Sequence, residues 1–183
     1  MLGLIAVSNT AVPWFLGDGY EESKNLIKIG SFLVMAIGLN NVSGIQYLIP
    51  AKKQSLYTKS VVAAAIVNLT LNYLLISHFK ARGAILASVI AEFSIVFIQL
   101  WSVRKDFDIS IAVKNSWKYI VSSIIMFIPI YIIGLKVQPT IYMTAMQVVI
   151  AIVIYGIMLL ILKDSFVKSI LKDMKEKLLK DRR

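Results

Sequence analysis

The chain contains no cysteine and only one histidine, His78. Without thiols there is neither a disulfide framework nor a thiolate metal site, and a lone imidazole rules out a histidine-cluster metal centre. Charge is scarce too: 16% of the 183 residues are Asp, Glu, Lys or Arg, against about 25% in soluble domains. Acids are the rarer sign, with 10 against 20 basic residues. Only one of them, Glu92, falls inside an apolar run. No phosphate-binding loop, nucleophile motif, metal-ligand spacing or pair of facing carboxylates is present. An enzyme is therefore not expected, nor a metal or cofactor. The opening "MLGLIAVSNTAVPWF" has no basic n-region and no small-residue cleavage site, so it does not read as a signal peptide.

What the chain has is hydrophobic length. Apolar residues make up 58% and mean hydropathy is +0.75. Five runs, residues 26–49, 59–79, 83–102, 117–135 and 141–162, are each long enough as helix to cross a ~30 Å hydrocarbon layer. A sixth, residues 2–16, gives about 22 Å of helix and falls short. The expected fold is an all-α integral membrane protein, a polytopic helical bundle of five full transmembrane helices plus a truncated one. The short opener predicts that the chain is a piece of a longer protein. The net charge of +10 suggests nucleic acid at first sight. The basic residues, however, lie between and after the apolar runs, at the level of phospholipid headgroups, so no nucleic-acid partner is expected.

Those basic residues are unevenly divided. Fifteen of the 20 fall in "AKKQSLYTKS", in "RKDFDISIAVKNSWK" and in the tail from Lys163; the opposite side holds Lys24, Lys28, Lys80, Arg82 and Lys136. The positive-inside rule then puts the first group and the C-terminus in the cytoplasm. The loop "LGDGYEESK", with Gly17 and Gly19 as its turn residues, faces outward. Residues 163–183 place Phe166, Ile170, Leu171, Met174, Leu178 and Leu179 largely on one helical face among basic residues. That pattern predicts a basic amphipathic cytoplasmic tail resting on anionic phospholipids.

The runs at 59–79 and 83–102 are joined by "KARG", which predicts a tight antiparallel hairpin. Eleven residues beyond Ala81 comes Glu92, and eleven before it Thr70, flanked by Asn68 and Asn72. Eleven residues of helix rise about 16 Å, close to mid-bilayer. The two amides share a helical face and meet the carboxylate at one depth. A carboxylate at that depth faces the bundle interior and is either neutral, donating to an amide carbonyl, or paired with a cation. Ser88 and Gln99 extend its polar stripe. Asn68 and Asn72 also fit interhelical hydrogen bonding of a purely structural kind. The stretch "IGLNNVSGIQYLIP" (37–50) carries Asn40, Asn41, Gln46 and two glycines. Its composition predicts close helix approach, a locally opened helix or the wall of a polar cavity. Glu92, Asn68, Asn72, Asn40, Asn41 and Gln46 are accordingly the candidate cavity or ion-coupling residues.

The order "VPWFLGDGYEES", then "IGLNNVSGIQYLIPAKKQSLYTKSVVAAAIVNLTLNYLLI", then "GAILASVIAEF" and "QLWSVRK" resembles the polysaccharide repeat-unit (Wzx-type) flippases. These belong to the multidrug/oligosaccharidyl-lipid/polysaccharide exporter superfamily. The resemblance covers residues 5 to 120; beyond it only two further spans correspond. Many members carry Pro and Gly where this chain has Ser77 and Lys80. The resemblance implies a bacterial cytoplasmic-membrane protein with two lobes of helices around a central cavity. It implies translocation of undecaprenyl-diphosphate-linked oligosaccharide, as for O-antigen or capsule, by ion-coupled alternating access. On that plan residues 1–162 are a C-terminal transmembrane lobe, inactive alone, whose partners are the lipid-linked oligosaccharide and a missing N-terminal lobe or companion polypeptide. The cationic residues that hold the diphosphate in such proteins have no counterpart within these spans. Two other readings are a membrane scaffold or assembly subunit, and a small proton-coupled exporter working as a homo-oligomer around Glu92.

Overall fold

The computed structural model describes residues 1–17, 19–106, 109–164, 167 and 169; for 109–113 and 115 it describes the backbone. Among the described residues five α-helices follow one another: α1 (Leu2–Leu16), α2 (Glu21–Asn40), α3 (Gln54–Val103), α4 (Ile109–Lys136) and α5 (Ile141–Ile161). Between α2 and α3, α2 runs on without a break into a π-helix, Asn41–Leu48. No strand occurs among the described residues. Glu21–Leu48, Ser116–Lys136 and Ile141–Ile161 are each long and apolar enough to cross a membrane, as is Gln54–Val103, which holds 50 residues. The protein is thus an all-α, polytopic membrane protein. α1, at 15 residues, spans about 22 Å and is shorter than a crossing.

A straight helix of 50 residues would be about 75 Å long, but α3 turns back on itself. The chain leaves helical geometry at Lys80 alone (φ 49°, ψ −128°). The arms 54–79 and 81–103 fold together there as the sequence predicts. The turn is closed by contact between backbones: a Cβ built on Gly83 would sit 2.3 Å from the Leu75 carbonyl oxygen. Only a residue without a side chain lets the arms come this close.

The helices form two groups. α2 and its π-helical extension pack against α3. α1 packs on α4 and α5, which pack on each other, and α1 also touches α2 and so joins the groups. Ala6, Met126, Ile130 and Ala151 make the buried centre of the second group, bordered by the stacked rings of Phe127 and Tyr131 at 5.2 Å. Gln147 ties it together. Its amide donates to the Ile130 carbonyl (3.1 Å) and its carbonyl accepts from Thr10 Oγ1 (2.5 Å), so one side chain on α5 bonds to both α1 and α4. Trp14 Nε1 adds a bond to Thr144 Oγ1 (2.8 Å).

The helix ends explain themselves locally. Glu21 and Glu22 occupy the first turn of α2, where the helix dipole favours acids. Ahead of them the chain turns at Gly17 (φ 84°) and Gly19 (φ 92°), values that a side chain would strain. Thr140 caps α5 by accepting from the Met143 amide (3.2 Å). The π-helix and α5 both end in Schellman motifs. In the first, Lys52 N–H donates to Ile49 and Lys53 N–H to Leu48; in the second, Lys163 donates to Leu160 and Asp164 to Leu159. The left-handed position is filled by lysine each time, Lys52 (φ 58°) and Lys163 (φ 50°). Glycine fits that geometry better, but a cation beside the last carbonyls of a helix offsets part of the strain.

Ion pairs tie the α2–α3 group at both ends. At the turn end Arg82 Nε meets Glu22 Oε1 at 2.9 Å; at the other end Lys53 pairs with Asp106. The hydrogen bond to Asp106 holds the Lys53 ammonium above its ordinary range. Beside it the Arg104 guanidinium lies 3.7 Å over the Trp101 ring. Of the expected amphipathic tail, residues 163–183, most lies outside the described residues. Asp164 is buried, and its Oδ1 accepts from the Val167 amide (3.2 Å).

Candidate functional site

α2 and the two arms of α3 enclose a groove of about 630 Å³. α2 contributes Leu33 and Ile37. The first arm adds Val61, Ala64, Ala65, Asn68 and Leu69, and the second Ser88, Ala91, Glu92 and Ile95. Each set follows helical spacing, so one face of each helix lines the groove. Its wall is aliphatic except for the amide, the hydroxyl and the carboxylate.

The polar groups are not used up by one another. Glu92 Oε2 is shielded from solvent and has no hydrogen-bond partner among the described residues. Ser88 Oγ donates to Ala84 O on its own helix (3.1 Å). Asn72 Nδ2 donates to Asn68 Oδ1 at 2.8 Å, along one helix face. The structure therefore brings Asn68 and Glu92 into one groove, but the amides bond to each other and not to the acid. A buried carboxylate oxygen without a donor is costly. A proton, a cation or a ligand hydroxyl would supply what it lacks.

The other three candidates lie elsewhere. Asn40 belongs to a second polar cluster, nearer the end of the hairpin where Lys53 pairs with Asp106. Gln99, 1% exposed, is its centre. Ser43 Oγ donates to Gln99 Oε1 (2.6 Å), and Gln99 Nε2 donates to Asn40 Oδ1 (3.0 Å) and Ser60 Oγ (3.1 Å). One side chain thus connects the second arm of α3 to the first arm and to the start of the π-helix. Gly44 in that π-helix lies against the Tyr57 ring, where a Cβ would come within 2.8 Å. The stretch 37–50 is opened into a wider helix at this point of close approach. Asn41 is exposed and donates to the Ile37 carbonyl (3.1 Å). Gln46 is exposed on the π-helix. Neither lines the groove around Glu92.

Gln99 follows Glu92 by seven residues and by spacing belongs to the same polar stripe; the structure divides the two between groove and cluster. Gln147 is not among the residues that sequence reasoning singles out, although a lone amide in "YMTAMQVVIAIV" is the usual signal of an interhelical hydrogen bond. Among the described residues no group of three or more His, Cys, Asp or Glu is placed to hold a metal ion.

No protein-family model matches the chain, and no solved structure matches it. Over 103 residues, 56% of the chain, it is 30% identical to a protein of Escherichia coli (strain K12) named "Putative O-antigen transporter". The aligned part is 25% of that protein, so the chain spans about a quarter of the length of the relative it matches. The chain is a distant relative of a protein named as a transporter of O-antigen.

Proposed function

We propose that the chain is the C-terminal part of a bacterial flippase that moves lipid-linked oligosaccharide repeat units across the cytoplasmic membrane for polysaccharide biosynthesis. The observation that carries this reading is the 30% identity over 103 residues to a protein named as an O-antigen transporter. The groove between α2 and the α3 hairpin supports it, because an apolar wall with a few polar groups suits a substrate that is part lipid and part sugar. In this reading residues 1–162 form one wall of a translocation cavity and an N-terminal lobe or companion polypeptide supplies the other. The C-terminus is cytoplasmic, and residues 163–183 rest on anionic phospholipids. The role is transport and not catalysis, with Glu92 and Asn68 as the polar contacts of the groove.

The test is made in the source cell. Glu92→Gln keeps the side-chain shape and removes the ionisable oxygen. Surface polysaccharide should fall at least about tenfold, the equivalent of one charge-assisted hydrogen bond, with the protein still present in the membrane at its normal level. Unchanged export at normal protein level would remove Glu92 from the mechanism; unchanged export on deleting the coding region would end the transport reading. The 183-residue chain alone, in proteoliposomes, is expected to leave a labelled lipid-linked oligosaccharide on the leaflet where it was placed.

A further inference from the structure

We propose that the turn of the α3 hairpin carries a binding site for a phosphate group, built on Lys80 with Arg82 and His78 beside it. These three residues, with Glu22, Phe79 and Ala81, line a surface pocket of about 370 Å³. Two of the six side chains are cationic and one is acidic. The acid is already engaged, since Glu22 Oε1 meets Arg82 Nε at 2.9 Å. That contact uses the inner nitrogen of the guanidinium and leaves its two outer ones for another acceptor. Lys80 has no ion-pair partner among the described residues. His78 Nδ1 lies against Ser77 Oγ (2.8 Å) and donates toward the Leu74 carbonyl (3.2 Å), so the ring borders the pocket while Lys80 and Arg82 supply its donors.

The backbone points the same way independently. Lys80 sits at φ 49°, ψ −128°, a combination that glycine enters readily and a residue with a Cβ only under strain. Lys52 and Lys163, the other residues with side chains at positive φ among those described, cap helices in the ordinary left-handed region. Lys80 does not. Strained residues of this kind persist only where the surrounding structure holds them, and they cluster at ligand clamps and other functional positions. Here the side chain brings an ammonium with no ion-pair partner among the described residues to the turn between two apolar helical arms, the end of a membrane span where lipid phosphates are expected. Phe79, exposed and lining the same pocket, gives an apolar contact beside the cations. The ligand chemistry is an anionic phosphate group with its charge toward Lys80 and Arg82, whether from a phospholipid headgroup or from free phosphate.

The test uses the purified 183-residue chain in neutral detergent, with the thermal midpoint followed as anion is added. The probes are short-chain phosphatidylglycerol, short-chain phosphatidylcholine and inorganic phosphate, all at matched ionic strength. Phosphatidylglycerol should raise the midpoint by mass action more than phosphatidylcholine, whose choline cation offsets the charge of its phosphate. Lys80→Gly should raise the midpoint in the absence of anion, because the strain is gone, and weaken apparent affinity for the anion about tenfold. Lys136→Gln removes an exposed lysine at the same end of the bundle and should leave affinity unchanged. A response to inorganic phosphate as well as to phosphatidylglycerol supports the site and assigns it to free phosphate. A response to phosphatidylglycerol alone supports it and assigns it to the headgroup. The proposal fails if neither probe acts, if Lys80→Gly binds as the parent does, or if Lys136→Gln loses affinity equally.

Discussion

Gly83→Ala should open the α3 hairpin. The added carbon would lie 2.3 Å from the Leu75 carbonyl oxygen and 2.6 Å from the Leu75 carbonyl carbon, where contacting carbons prefer about 3.5–4.0 Å. Both atoms are backbone, so no rotamer change relieves the clash and the arms must separate by about 1 Å. Overpacking of this kind costs about 1–3 kcal/mol, and Gly83→Val should exceed that range. The thermal midpoint in detergent should fall in the order parent, Ala, Val. Gly156 is the internal control: it lies in α5, and a Cβ added there would have nothing within 4 Å. Gly156→Ala should be neutral or stabilising by up to about 1 kcal/mol, from helix propensity alone. Equal midpoints for Gly83→Ala and Gly156→Ala would mean that the close approach at Leu75 does not hold the hairpin together.

Gln99→Leu should be comparably damaging for a different reason. It removes three hydrogen bonds at once and leaves Asn40, Ser43 and Ser60 without them, two of these being buried serines. Hydrogen bonds between membrane helices are worth about 0.6 kcal/mol on average and about 1.7 at most, so a loss of about 2 kcal/mol is expected. Gln99→Met keeps the length and flexibility of the side chain and separates packing from hydrogen bonding. It should be nearly as destabilised as Gln99→Leu, whereas Ser43→Ala, which loses one bond to Gln99, should cost less than half as much. A fully stable Gln99→Met would show that the cluster contributes packing only. Because the cluster anchors the π-helix to both arms, Gln99→Leu should also speed backbone hydrogen exchange across Asn41–Leu48 more than across α5.

The helices were legible because apolar length is counted directly: each expected span has its helix, and "KARG" marked the hairpin. Asn68 and Glu92 do line one groove, since two straight α-helical arms from a known turn leave little freedom in depth. The faces of 37–50 were not legible. Asn40, Asn41 and Gln46 look alike in composition; their glycines and amides allow an opened helix among other outcomes, but not where it begins or which way each amide then points. Asn40, the last residue of α2, turns to Gln99; a period taken from α-helical geometry fails from Asn41 onward, and Asn41 and Gln46 stay exposed. Glycine at 83 was visible, but its reason was not. The requirement comes from a residue eight positions earlier, Leu75, whose carbonyl meets it only after the chain has reversed.

The single-residue break at Lys80 also has a consequence for how the chain enters the bilayer. With no loop between the arms, neither has a place to wait at the interface while the other is made. The two must leave the insertion machinery as a unit. Asn68 then partitions already facing the second arm, with Asn72 bonded to it, and Glu92 enters behind the first. Each would be unfavourable in a lone span, Glu92 most of all; as a pair they never meet lipid separately. Lengthening the turn with a few glycine and serine residues should therefore lower the yield of inserted protein even where the finished fold would accept the extra length.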